Sequence, residues 1–292
     1  MKNFSQEIQG TIYAIMAFSF WGLVPIYFKM VSHVNPSEVL VHRILWSVIF
    51  LIVLLFITKS FKNLIIILKD TKKLKILFIS ALLVSLNWLT FIWAISNNKI
   101  VEASLGYYIN PLLSVLLGYI FFKERMTKLQ TCAIFIAFMA IVYQVYALGQ
   151  LPIISLMLAF SFALYGLARK KVHVESISGL LVETFLVSPF ALFYLIYLFT
   201  INQNAFVIPL DITSYLLIAA GLITIIPLIW FNSAATKISM MKLGFLQYIG
   251  PSISFLLAIF VYNEPLNTDK LITFIMIWFA LFLFSIKRKS YK

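Results

Sequence analysis

Tyr108-Ile109-Asn110-Pro111, followed by Ser114, Leu116, Leu117 and Glu124, returns 140 residues later as Tyr248-Ile249-Gly250-Pro251, followed by Ser254, Leu256, Leu257 and Glu264. An earlier pair repeats in the same way, with Ala17-Phe18-Ser19-Phe20 matched by Ala159-Phe160-Ser161-Phe162. At the main offset Arg43 corresponds to Glu183. The chain therefore reads as a duplication with units at 1–146 and 147–292.

Composition decides the medium in which the units fold. Of 292 residues, 62% are hydrophobic and only 11% charged, and the mean hydropathy of +1.00 is more than a soluble core can hide. A membrane-crossing helix needs roughly 20 largely apolar residues. Ten such stretches are predicted, near 9–29, 37–58, 76–96, 102–122, 128–146, 151–168, 177–199, 213–233, 244–262 and 271–286. Barrel strands alternate apolar and polar residues, and no such alternation occurs here. The first stretch is too long for the apolar core of a signal peptide and is read as a retained span. Five spans per copy force the second copy into the bilayer upside down. The expected architecture is all-α, with ten transmembrane helices in two inverted five-helix repeats. Inverted repeats of this kind enclose solute sites in secondary transporters.

The net charge of +13 orients such a protein rather than binding nucleic acid. With the amino terminus in the cytoplasm, the inner face receives Lys2, the lysines at 59, 62, 69, 72, 73 and 75, then Lys123, Arg125, Lys128, Arg169, Lys170, Lys171, Lys237, Lys242, Lys287, Arg288, Lys289 and Lys292. The outer face receives Lys29, Lys99 and Lys270. That bias is the positive-inside pattern of an inner-membrane protein, with both termini cytoplasmic. Residues 59–75 read either as an amphipathic basic strip on the surface, with Leu64 to Leu68 flanked by lysines, or as a plain interfacial connector. Cys132 is the single cysteine; it can form no internal disulfide or metal pair, and its expected role is inert packing.

Pro111 and Pro251 stand mid-span at matching places, where proline removes a backbone hydrogen bond and loosens the carbonyls of Tyr107 and Gln247. Gly106 and Gly250 nearby permit close helix approach. Such matched interruptions point to a transport site, although either proline alone also reads as a packing kink.

Arg43 and Glu183 are the charges set well inside spans, and neither is stable facing lipid. Arg43 has three readings: pairing with Glu38, an anchor on helix carbonyls, or a fork that holds an anionic solute. Opposite entry directions argue against a direct Arg43–Glu183 bridge. Glu183 reads either as a proton-coupling group or as a protonated hydrogen bond between helices. His42 lies one turn beyond Glu38 and forms a titrating pair with it or packs as a core histidine. Trp21, Asn87, Trp88, Tyr107, Tyr108 and Asn110, with Tyr165, Gln247 and Tyr248 from the second copy, are candidates to line a cavity for an aromatic or amphipathic solute. Asn87 is the most telling, because an amide within an apolar span needs a partner.

These residues lie in segments that resemble a known family. Leu86-Asn87-Trp88-Leu89-Thr90-Phe91-Ile92-Trp93-Ala94, Val101 to Leu112, Val41-His42-Arg43-Ile44-Leu45-Trp46-Ser47, Phe20 to Pro25 and Val182-Glu183-Thr184 resemble the RarD branch of the EamA family, in the drug/metabolite transporter superfamily. The resemblance runs along essentially the whole chain. It implies the ten-helix inverted-repeat fold, a bacterial inner-membrane location and movement of a small organic solute. It marks Arg43, Asn87, Trp88, Tyr107, Asn110 and Glu183 as motif matches.

No G-x-x-x-x-G-K-[ST] loop is present to cradle ATP, and His33, His42, His173 and Cys132 build no H-E-x-x-H or nucleophile–base motif. The expectation is a secondary carrier, without cofactor, metal or enzymatic activity, working by alternating access between the copies. The alternatives are a channel and a non-transporting accessory protein. The partners are the bilayer and a small-molecule substrate. A monomer suffices, since no G-x-x-x-G face appears, and a homodimer stays open.

Overall fold

A computed structural model of the chain describes residues 2–97, 100–149, 153–262 and 268–286. Glu264, Lys99 and the cations Lys287, Arg288, Lys289 and Lys292, named above, lie outside them. The described residues form helices α1 (Lys2–Met30), α2 (Pro36–Thr58), α3 (Phe61–Leu68), α4 (Thr71–Ser96), α5 (Ile100–Phe122), α6 (Lys128–Leu148), α7 (Ile153–Val172), α8 (Ser176–Thr200), α9 (Ile212–Ala235), α10 (Met240–Leu246), α11 (Ile249–Phe260) and α12 (Thr268–Ser285). Eight of them, α1, α2 and α4 to α9, are long and apolar enough to cross a membrane, and the apolar stretch Leu271–Ser285 of α12 is shorter.

Helices begin where a short polar side chain accepts the otherwise unpaired first N–H groups. Asn35 caps α2 with proline in its first turn, Thr127 and Gln130 form a reciprocal capping box at α6, and the Glu175 carboxylate accepts from Ile177 and Ser178 at α8. Asp70 accepts from the N–H groups of Lys72 and Lys73 at 3.0 and 3.1 Å, and Asp211 from that of Ser214 at 2.7 Å. The Lys73 N–H chiefly holds the Asp70 carboxyl below the usual carboxylate range, and the Ser214 hydroxyl and N–H do the same for Asp211. Lowered folded values mean that the capping contribution is complete above the ordinary aspartate pKa and fades as pH falls through the lowered one.

Three elements depart from the sequence reading. Residues 59–75 include a helix, α3, which buries Ile67 and leaves Ile65, Ile66 and Leu68 exposed. The ninth expected stretch is two helices meeting at Gln247 and Tyr248. Backbone bonds tighten to three-residue spacing there: Gln247 N–H donates to Gly244 at 3.1 Å, Tyr248 to Phe245 at 3.3 Å, and Gly250 to Gln247 at 3.2 Å. Gly250 thereby satisfies the carbonyl that Pro251 leaves free. Pro111, by contrast, lies inside the continuous α5. Cys132 is exposed on α6 rather than packed.

Antiparallel neighbours bring one set of helix ends together. The Lys242 ammonium pairs with Glu7 at 2.9 Å, joining the start of α1 to α10. Glu124, just beyond α5, accepts from the first N–H groups of α10, those of Met240 and Met241, at 2.7 and 2.8 Å. Lys170 on α7 donates to the carbonyls of Ala235, at 3.2 Å, and Ile238. At the other end the Tyr27 hydroxyl donates to Leu216 at 3.1 Å, and His33 meets Thr213 at 3.1 Å.

The main packing pairs are α5 with α7, α4 with α7, α1 with α9, α1 with α11, α2 with α8, α2 with α9, α5 with α10 and α6 with α12. The largest buried cluster draws on α1, α2, α4, α7, α8 and α9, with Phe18, Leu51, Val84, Tyr165, Leu181 and Phe231. A second joins α6 to α12 and α10 through Ala133, Ala137, Ala140, Ile277, Ala280 and Phe245. Side chains such as Phe190, Phe193 and Ile212 point outward, as lipid contact requires.

Small residues set the closest approaches. A Cβ at Gly244 would lie 2.7 Å from Ser114 Cβ and 2.9 Å from the Pro111 carbonyl oxygen, so α10 reaches α5 only because residue 244 is glycine. Gly244→Ala should therefore lower stability by about 1–3 kcal/mol, the usual cost of overpacking. Gly166→Ala meets only the flexible tips of Met240 and Phe231, at 3.3 and 3.4 Å, and should change little. Thermal unfolding of the two variants in detergent checks the difference.

Candidate solute-binding site

Arg43 projects from α2 toward α9, where its Nε donates to Thr224 Oγ1 at 2.9 Å. Close approach of the two helices depends on Gly221, since a Cβ there would lie 2.6 Å from Trp46 Cβ and 2.9 Å from the Ser47 nitrogen. The guanidinium carbon lies 5.1 Å from the Trp88 ring centroid and 5.6 Å from that of Phe28. Phe91 touches Phe28 at 6.4 Å and Tyr107 at 6.1 Å. The cation thus sits against aromatic faces rather than against a carboxylate.

Glu38 is engaged elsewhere. Its Oε1 accepts from the N–H groups of Ala205 and Phe206 at 2.7 and 3.2 Å, and His42 lies 3.8 Å from it. His42 stacks on Phe206 with centroids 5.1 Å apart, and its Nδ1 accepts from Trp46 Nε1 at 3.3 Å. Glu38 and His42 are neighbours, but the carboxylate clasps the segment after α8 and leaves Arg43 alone. The expected alternative of an Arg43–Glu38 bridge does not hold.

A second layer is aromatic. Trp21 packs on Phe18, Phe162 and Phe231, each with centroids 5.7 Å apart. Tyr165 stacks on Phe231 at 5.9 Å, and its hydroxyl donates to Asn232 Oδ1 at 3.1 Å.

The third layer is ionic. Arg169 follows Tyr165 by one turn of α7, and its Nη1 lies 3.3 Å from Glu183 Oε1, with both side chains almost fully buried. Gly179 on α8 makes room: a Cβ there would lie 2.6 Å from Arg169 Nη1. The Ser80 hydroxyl of α4 also donates to Glu183 Oε1. Arg169 Nε, Glu183 Oε2 and Asn232 Nδ2 are buried without a hydrogen-bond partner, so the layer is only partly satisfied. Arg43 and Glu183 form no bridge.

Polar contacts of the remaining candidates join helices. Asn87 Nδ2 donates to the Leu158 carbonyl at 2.9 Å and to Ser161 Oγ at 3.0 Å, tying α4 to α7. The Ser114 hydroxyl donates to Asn110 Oδ1 at 3.2 Å and accepts from Gln247 Nε2 at 3.5 Å. The Tyr248 hydroxyl donates to the Tyr108 carbonyl at 3.1 Å. Asn110, Gln247 and Tyr248 are buried, and Tyr107 is half exposed. Four participants escaped the sequence reading. Arg169 was hidden in the Arg169-Lys170-Lys171 run, which reads as a cytoplasmic loop. Asn232 carries the same signal as Asn87, a lone amide within a span, whereas Ser80 and Thr224 carry none, because hydroxyls bond their own helix equally well.

The molecule has the build of a multi-pass helical membrane transporter, with polar side chains turned inward between helices and an apolar exterior. The model of the EamA-like transporter family matches residues 8–146. Protein RarD of Salmonella typhi is 46% identical over 287 residues, 96% of this chain and 95% of that protein. An uncharacterized transporter of Bacillus subtilis (strain 168), YojE, is 40% identical over 291 residues, 97% of this chain and 96% of that protein. A solved structure at 15% identity shares the fold, with a TM-score of 0.71 over 94% of this chain and 96% of its own. The chain belongs to the EamA family, among the RarD proteins. Several of its relatives are named as uncharacterized transporters.

Losing one member of the Arg169–Glu183 pair strands a buried charge or its partner's hydrogen bonds. Arg169→Leu or Glu183→Gln alone should each cost about 3–5 kcal/mol. The double variant should cost less than the sum of the two, as read by chemical unfolding in micelles.

Proposed function

We propose that the chain is a secondary carrier of the bacterial inner membrane that moves a small organic solute by alternating access. In this reading ten crossings, with α10 and α11 together as the ninth and α12 as the tenth, form inverted repeats at 1–146 and 147–292, and both termini are cytoplasmic. The observation that carries it is the interruption of the ninth segment at Gln247 and Tyr248, held against α5 through Tyr108, Asn110 and Ser114. A broken helix at the repeat interface is the usual site of solute and ion binding in such carriers.

Helix packing supports the duplication. Exchanging the two copies turns the α4–α7 contact into the α9–α1 contact and the α5–α7 contact into that of α11 with α1, while α2–α8, α5–α10 and α6–α12 map onto themselves. Repeat mates Arg43 and Glu183 each bond a hydroxyl across the interface, Thr224 and Ser80. The cations of α2, α5, α7 and α9 cluster beyond the helix ends that Glu7, Glu124 and Lys170 tie together, which supports placing that end in the cytoplasm.

The solute path runs from Arg43, Trp88 and Tyr107 past Trp21 and Tyr165 to the Arg169–Glu183 layer, with Asn87, Asn110, Gln247 and Tyr248 beside it. A partly satisfied polar layer is expensive to keep in a closed core, and Glu183 is the group in it that a proton would switch. His42 is the second proton candidate, near the opposite end.

Purified chain in liposomes, given a panel of labelled solutes with and without a pH gradient, tests this reading. Uptake should be stimulated by the gradient, and Glu183→Gln should remove that stimulation. Asn87→Ala should slow transport several-fold while leaving folded protein in the membrane, consistent with about 0.6–1.7 kcal/mol for an interhelical hydrogen bond. Unchanged rates and pH response in both variants would overturn the assignment of these side chains.

A further inference from the structure

We propose that Arg43, with the aromatic faces of Phe28, Trp88, Phe91 and Tyr107, forms the recognition site for a small aromatic monocarboxylate. This deepens the carrier reading and rests on it.

The argument begins with a charge imbalance between two buried arginines. Arg169 has its counterion in Glu183, and its Nε and Nη1 are sealed from solvent. Among the described residues Arg43 has no carboxylate partner. Glu38, one turn away on the same helix, is committed to the N–H groups of Ala205 and Phe206. Lys29 at the same end sits 3.7 Å above the Tyr262 ring and adds positive charge rather than cancelling it. Of five guanidinium N–H donors, Thr224 takes the one on Nε. No acceptor among the described residues takes the four on the two Nη atoms, and the side chain is only partly buried. These four donors belong to a cation on a membrane-spanning helix.

An unpaired cation in apolar surroundings is stabilised by an anion that arrives from outside the protein. The two Nη groups and their fixed fork match a carboxylate in bidentate geometry. One free cation calls for one negative charge, which disfavours dicarboxylates and excludes organic cations by repulsion. The surrounding wall selects the remainder of the ligand. Trp88 and Phe28 face the guanidinium, and Phe91 links Phe28 to the half-exposed ring of Tyr107. A ligand ring gains edge or offset contacts with such a wall that an alkyl chain does not.

The test uses full-length chain in phosphatidylcholine nanodiscs, with isothermal titration calorimetry as the readout and three probes: 3-phenylpropionate, its uncharged amide, and hexanoate. The acid should bind at least about tenfold more tightly than the amide, a difference of about 1.4 kcal/mol, and more tightly than hexanoate. Arg43→Gln should erase the preference of acid over amide. Arg43→Lys, which keeps the charge but not the fork, should retain part of it. Equal binding of acid and amide by the unaltered chain overturns the proposal without any variant. So does a preference that survives Arg43→Gln, or the absence of binding to a chain that keeps its melting transition. Counterflow of labelled 3-phenylpropionate in proteoliposomes separates the two readings. Binding without counterflow defeats the carrier and keeps the site, whereas transport of another solute by a chain with no acid preference defeats the site and keeps the carrier.

Discussion

Lipid tails are as apolar as leucine, so burial of hydrophobic area does not decide which face of a helix meets protein and which meets the bilayer. In this chain that decision falls to groups that hydrocarbon cannot satisfy and to places where backbones touch. Asn87 fastens α4 to α7, Arg43 and Thr224 fasten α2 to α9, and Ser80 and Glu183 fasten α4 to α8. Between these bonds the backbones close up at glycine: Gly221 against Trp46, Gly106 against Ser155 and Leu158, Gly22 against Ile253 and Gly250. The apolar residues fill what remains, and Phe190, Phe193 and Phe56 stay outside. Such a protein is specified by few positions, and most of them are polar or small.

That economy explains what could be read in the sequence. Segment positions were legible because length and hydropathy decide them alone, and α2, α4, α8 and α9 follow their expected stretches closely. Asn87 was legible because an amide within an apolar run has no local partner of its own. Partner identity was not. Arg169 looked like part of a basic loop because its neighbours Lys170 and Lys171 carry the same charge, and its guanidinium turns inward to Glu183 past the facing Gly179. Arg43 and Glu183 stand at matching repeat positions with opposite charge, yet Glu183 pairs with Arg169 while Arg43 bonds only the Thr224 hydroxyl and lies against aromatic rings.

The two proline motifs show the limit of motif reading. Both prolines lack the donor for the carbonyl four residues back, but α5 continues through Pro111 while the second copy breaks before Pro251. Their preceding residues differ. Asn110 has a side chain that the Ser114 hydroxyl bonds within the same helix, whereas Gly250 adds conformational freedom and no side-chain contact. At Gly250 the N–H turns to the Gln247 carbonyl at three-residue spacing, which relieves the orphan acceptor. Asn110 against Gly250 is one of several differences between the segments, beside Gly106 against Leu246 and Tyr107 against Gln247.

The consequence shows in the packing. α10 is bound to α5 at both of its ends, through Glu124 on the N–H groups of Met240 and Met241 and through Tyr248 on Tyr108. α11 packs chiefly against α1, where the Ser254 hydroxyl donates to the Gly22 carbonyl at 3.0 Å and Gly22 leaves space for Ile253, while the Lys242–Glu7 pair also ties α10 to α1. The two parts of the ninth segment therefore have different principal neighbours, and they meet between Leu246 and Ile249. A continuous helix would hold both sets of contacts on one axis, whereas the break at Gln247 and Tyr248 separates them beside Asn110 and Ser114.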